Sequence, residues 1–132
     1  MGDRANFGFR ADSESPVVVL YAHWGGYQMM ANLANAIATA RPRWSDEGYA
    51  TRIAISQLIG DQWNQELSYG IYVNEIGDNE HSVPVVNWKG QTVSLYEADW
   101  NTVRVDFDHA TPKFTMGFDS FIRKFAKDLV SA

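Results

Sequence analysis

Between residues 17 and 40 the chain changes its hydrophobic period, and that change restricts the fold more than any other feature. Residues 17–24 (Val-Val-Val-Leu-Tyr-Ala-His-Trp) form an apolar, β-branched run suited to a central strand. Gly25-Gly26 breaks the run, and Met30, Leu33, Ala34, Ile37 and Ala40 then recur on one helical face. A strand that feeds a helix calls for a domain with both a sheet and a helix layer.

The remaining elements follow from the same signals. Residues 6–10 alternate, with Phe7 and Phe9 on one side, and residues 12–16 carry turn chemistry, so the first two strands are expected to form an antiparallel hairpin. Pro42 ends the first helix. Ser45 suits an N-cap, and Asp46 and Glu47 complement the dipole of a second helix that runs to about Ile59, with Gly48 weakening its first turn. Strands are expected at 70–74, 83–88 and 92–96, the last two joined by a tight turn at Lys89-Gly90. Residues 102–107 alternate Val103, Val105 and Phe107 against Arg104 and Asp106, which predicts a half-buried strand near an edge. A last helix places Phe118, Phe121, Ile122, Phe125 and Leu129 on one stripe, opposite Asp119, Arg123, Lys124, Lys127 and Asp128. The expected order is β-β-α-α-β-β-β-β-α, an α+β fold with a largely antiparallel sheet and three helices. A single domain is expected over residues 1–132.

Composition narrows the chemistry. The chain has no cysteine, which removes disulfides, thiolate zinc sites and cysteine nucleophiles. The longest wholly apolar run, residues 17–22, is too short to span a bilayer. The first residues hold no apolar signal core, so a cytoplasmic protein without an anchor is expected. Net charge is −5, and residues 53–88 hold five carboxylates and no Lys or Arg. A general nucleic-acid binder carries a basic face, so nucleic acid is disfavoured as a partner; Arg41, Arg43 and Arg52 form only a small group. A homodimer stays open.

Four separated motifs carry the polar chemistry: Gly2-Asp3-Arg4-Ala5-Asn6, residues 20–26 (Leu-Tyr-Ala-His-Trp-Gly-Gly), Arg43-Trp44-Ser45-Asp46, and Gly77-Asp78-Asn79-Glu80 after Tyr69-Gly70-Ile71. In this order they resemble an uncharacterised family of small bacteriophage and bacterial proteins with GDRAN, LYxHWGG, RWxD and GDNE signatures. The resemblance covers about the first hundred residues. It implies a phage or prophage origin, hence a host cytoplasm, and a shared polar site, without implying any particular activity. Members often have Asp at the end of the strand after GDNE, where this chain has Asn87.

Each motif admits a functional and a structural reading. His23-Trp24-Gly25-Gly26 sits where a strand feeds a helix, and the glycines free backbone N–H groups to meet an anion. His23 then serves as base, ligand or phosphate contact; alternatively the glycines only turn the chain. Asp78, Asn79, Glu80 and His81 have the donor types for a hard divalent cation, but not the spacing of an EF-hand loop. Asn87 replaces the second carboxylate that a nuclease-like metal site would need, so no metal is assigned. The structural reading of this segment is a β-turn with Glu80 ion-paired. Arg4, Arg43 and Arg52 could fork onto a phosphate or carboxylate ligand, or pair with Asp3, Asp61, Asp78 and Glu80. No nucleophile elbow, phosphate-binding loop, dinucleotide fingerprint or zinc motif occurs, and no cofactor is indicated.

The expected site therefore comprises Asp3, Arg4, His23, Trp24, Gly25, Gly26, Arg43, Asp78, Asn79 and Glu80. Arg4, His23 and at least one of Asp78 and Glu80 are expected in one pocket or polar groove, because element boundaries gather at the ends of a sheet. The leading expectation is a phage accessory binding module for a small polar ligand or a host protein, not an enzyme. A metal-assisted phosphate-ester hydrolase, with Asp78 and Glu80 on the metal and His23 as acid or base, is one alternative. A structural or interaction protein without a small-molecule site is the other.

Overall fold

The computed structural model describes residues 2–126. These residues hold six strands in the order β3-β2-β1-β4-β5-β6, with three α-helices. Strand β1 (Ala5–Arg10) pairs antiparallel with β2 (Val18–Ala22), the hairpin expected from the turn chemistry at residues 12–16. On its other side β1 runs parallel to β4 (Val83–Asn87). The remaining pairs are antiparallel: β2 with β3 (Tyr69–Val73), β4 with β5 (Thr92–Tyr96), and β5 with β6 (Phe114–Gly117). The fold is thus α+β with a largely antiparallel sheet, and the element order is the predicted one.

One side of the sheet is covered by helices. Helices α1 (Met29–Thr39) and α2 (Glu47–Ile59) pack together, and α3 (Phe118–Phe125) lies beside α1. Ala5, Phe7 and Phe9 of β1, Leu20 and Ala22 of β2, and Val86 and Trp88 meet Leu33, Ile37, Ile55 and Phe121 in one core. Buried Ala34, Ala36, Ala50 and Ala54 keep the helices close to the sheet and to each other. Trp88 is buried, and its indole N–H donates to Thr51 Oγ1 at 2.9 Å, so the largest core side chain leaves no polar atom unpaired. Of the predicted α3 stripe, Phe118 and Phe121 are buried and Ile122 and Phe125 half-buried; Leu129 lies outside the described residues.

The opposite side is covered by irregular chain. Val17, Val19, Val83, Val85 and Tyr96 project there against Ile76, Val105 and Phe107. Residues 102–107 do bury Val105 and Phe107 on one side, but they join no ladder; the sixth strand is β6 instead. Alternation reports which side chains point inward and is blind to where the backbone bonds go. The N-terminus of α2 also shifts: Asp46 rather than Ser45 takes the cap position, through its carbonyl, which accepts the Ala50 N–H at 2.9 Å. Arg10, almost fully buried on this side, donates to the Ser15 carbonyl and to Asp108 Oδ1, tying the first hairpin turn to the covering segment.

Among the described residues no helix is long and apolar enough to cross a membrane.

Candidate functional site

Three of the four motifs meet at one corner of the sheet, where β1 begins and β2 ends. The Asp3 N–H donates to the His23 carbonyl (2.9 Å), and the Gly26 N–H donates to the Asp3 carbonyl (2.9 Å). The Asp3 carboxylate accepts the Tyr27 N–H at 2.7 Å through Oδ2, while its Oδ1 lies 2.7 Å from His81 Nε2. These bonds, the one to His81 foremost, hold the Asp3 carboxyl below the ordinary carboxylate range. The anion expected at the mouth of the strand–helix turn is therefore this chain's own Asp3. Gly25 adopts the left-handed conformation (φ 83°), and Gly26 is required by space: a Cβ there would lie 2.5 Å from His81 Nε2.

Arg4 fastens the second pair of motifs. Its Nε donates to Glu80 Oε1 at 2.8 Å and its Nη1 to Asp78 Oδ2 at 3.3 Å. The two segments also exchange main-chain contacts, Arg4 N–H to Glu80 Oε1 and Glu80 N–H to the Arg4 carbonyl. The guanidinium lowers the Glu80 pKa, and Glu80 in turn raises that of Arg4. Two positions further on, Asn6 is fully buried. Its amide donates to the Asp78 carbonyl and to Asn79 Oδ1, and its Oδ1 accepts the Gly77 N–H at 2.9 Å. Asn79, also buried, passes the network on to the His81 and Asp99 carbonyls.

Behind this corner an open recess of about 320 Å³ is lined by Tyr21, Tyr72, Asp78, Asn79, Trp100 and Val103, among others. That volume is at the small end of ligand sites. Trp100 is 74% exposed, and the Asp78 side chain is equally open despite its contact with Arg4. Tyr21 Oη lies 2.9 Å from His23 Nδ1, and His23 meets the exposed Trp24 ring edge-on. Burial, with the field of Asp78, raises the Tyr21 pKa, so its hydroxyl is neutral at ordinary pH. The Tyr21 ring also closes on Gly77, where a Cβ would lie 2.7 Å from Cδ1.

Of the expected residues, Asp3, Arg4, His23, Gly26, Asp78, Asn79 and Glu80 are brought together, with Trp24 and Gly25 adjoining. Arg4 and His23 brace the recess from behind and do not line it; Asp78 and Asn79 do line it. Arg43 stands apart. It pairs with Asp46 and lies over Tyr49, beyond the C-terminal end of α1, about 16 Å of helix away. Asn87 lies at the far end of β4, where its Oδ1 accepts the Gly90 N–H of the turn, away from Asp78 and Glu80. Among the described residues no three His, Asp or Glu side chains cluster as metal ligands.

Three residues of the corner were not among the expected site residues. Tyr21 belongs to the LYxHWGG motif but reads as a strand residue, His81 reads as a donor for a divalent cation, and Trp100 sits in a segment without period. The only sequence signal for Trp100 was an aromatic residue amid Asp99, Asn101 and Thr102, in turn-forming company. Comparisons with family models, with curated proteins and with solved structures found no match.

Proposed function

We propose that the protein is a binding module whose recess takes a small polar ligand, and that the motif residues hold that recess in shape. The observation that carries this reading is the combination in one recess of exposed aromatic rings (Trp100, Tyr72) with an open carboxylate (Asp78) on a hydrogen-bonded floor. Aromatic faces stack on a flat or sugar-like ring, and the Asp78 carboxylate accepts hydrogen bonds from its hydroxyl or amino groups. Convergence of GDRAN, HWGG and GDNE segments supports the same reading, and the resemblance to small phage proteins fits an accessory role in which a ligand is recognised or sequestered.

The hydrolase reading is weaker for a positive reason. Arg4 is already ion-paired with both Asp78 and Glu80, so a cation bridging the two would have to displace its guanidinium. His23 Nδ1 is engaged by Tyr21, which leaves only Nε2 for acid–base work.

The test is a screen of nucleosides, monosaccharides and amino acids against isotope-labelled protein by NMR. Shifts confined to Tyr21, Tyr72, residues 77–79 and the Trp100 indole are expected for a binder. Shifts clustered elsewhere would refute the assignment of this recess.

A further inference from the structure

The two edges of the sheet are built differently. Edge strand β6 has four residues, is preceded by Lys113, and passes directly into α3. Charge, shortness and a covering element are the usual protections of an edge. Edge strand β3 is one residue longer, carries no charge and does not run into a helix. From Leu67 to Asn74 there is no charged residue and no proline, and Ile71 and Val73 are 54% and 59% exposed.

The register of β3 shows which backbone groups are free. The Asn74 N–H donates to the Val17 carbonyl, and the His23 N–H to the Ser68 carbonyl. With Val18 opposite Val73, bonded pairs therefore fall at residues 68, 70, 72 and 74. The N–H and C=O groups of Tyr69, Ile71 and Val73 point away from β2, along the open edge.

We infer that β3 is a homodimerisation strand, pairing antiparallel with β3 of a second copy about a two-fold axis through Ile71. Residues 69, 71 and 73 have the outward groups, and a two-fold at residue 71 matches each with another outward residue. Ile71 exchanges both bonds with Ile71 of the second copy, and Tyr69 exchanges both with Val73. The same operator sets Ile against Ile and Tyr against Val on the helix side of the sheet. On the other side it sets Tyr72 against Gly70, where an aromatic ring covers a residue without a side chain. No like charges meet, since the segment has none. This self-complementarity is what selects a second copy over an unrelated strand, and the inference does not depend on what the recess binds.

Sedimentation equilibrium over a dilution series tests it. A reversible species of twice the 14.9 kDa chain mass is expected. Ile71→Lys, which brings two ammonium groups together on the axis, and Ile71→Pro, which removes an outward N–H and no bond to β2, should both give monomer with unchanged circular dichroism. Thr115→Lys, at an exposed position of β6, should leave the dimer intact. A wild-type protein that stays monomeric throughout, or a dimer that survives Ile71→Pro, would overturn the inference; should Ile71→Lys unfold, Ile71→Pro decides.

Discussion

The two sides of the sheet are held by different physics. Under the helices, Phe, Leu, Ile and Trp side chains interlock around small alanines, and the polar atom of Trp88 is satisfied within the core. On the other side the apolar cluster is smaller, and the buried polar residues Asn6, Arg10 and Asn79 do much of the fastening. Apolar packing is non-directional and tolerates repacking, whereas a buried amide must meet particular partners at particular angles. The first side therefore supplies stability, and the second fixes the backbone of residues 77–81 and with it the shape of the recess.

That division predicts a graded series of effects. Phe121→Ala, which empties a fully buried aromatic site under α3, should cost about 3–5 kcal/mol. A loss below about 1 kcal/mol in chemical unfolding would mean the helix side is not the main core. Asn6→Leu on the other side should cost less, about 1–3 kcal/mol, because it leaves the Gly77 N–H and Asn79 without their partner. Its distinguishing sign is local: amide exchange at residues 77–81 should accelerate more than in the helices. Uniform acceleration would erase the contrast between the two sides.

Arg4→Ala should have a smaller effect, visible mainly in acid. Asp3 and Glu80 both have folded pKa values below the ordinary carboxylate value. Such groups contribute stability that is present above the unfolded pKa and is lost as pH falls through the folded one. Without Arg4, the Glu80 pKa returns toward its ordinary value, so stability should fall slightly at neutral pH and the acid limb should become shallower. An acid limb identical to that of the wild type would show that the Arg4–Glu80 contact does not persist in solution.

The same contrast decides what could be read from sequence. Helices α1 and α3 and the first hairpin were legible because one-sided burial writes a period into the sequence. Strand β6 was not, since Phe114–Gly117 is short and the better alternation of residues 102–107 belongs to chain lying across the sheet. Most of the candidate corner was visible as motifs at element boundaries. The pairing of Arg4 with Asp78 and Glu80 was one of two open readings; the partners of Asp3 and Asn6 could not be seen, because they lie more than seventy residues away or across a turn whose path no period records. Arg43 was grouped with them as an arginine of the RWxD motif, and the length of α1 separates it.

The central claim is that the motifs shape a recess whose exposed ring and carboxylate bind a ligand. Trp100→Ala tests it most directly, with unfolding stability and NMR-monitored binding of the best polar ligand from the screen measured on the same protein. Trp100 is mostly exposed, so stability should remain within about 0.5 kcal/mol of the wild type while the ligand-induced shifts at Tyr72 and residues 77–79 disappear. Ligand shifts that persist at those residues without the Trp100 ring, at unchanged affinity, would contradict the account.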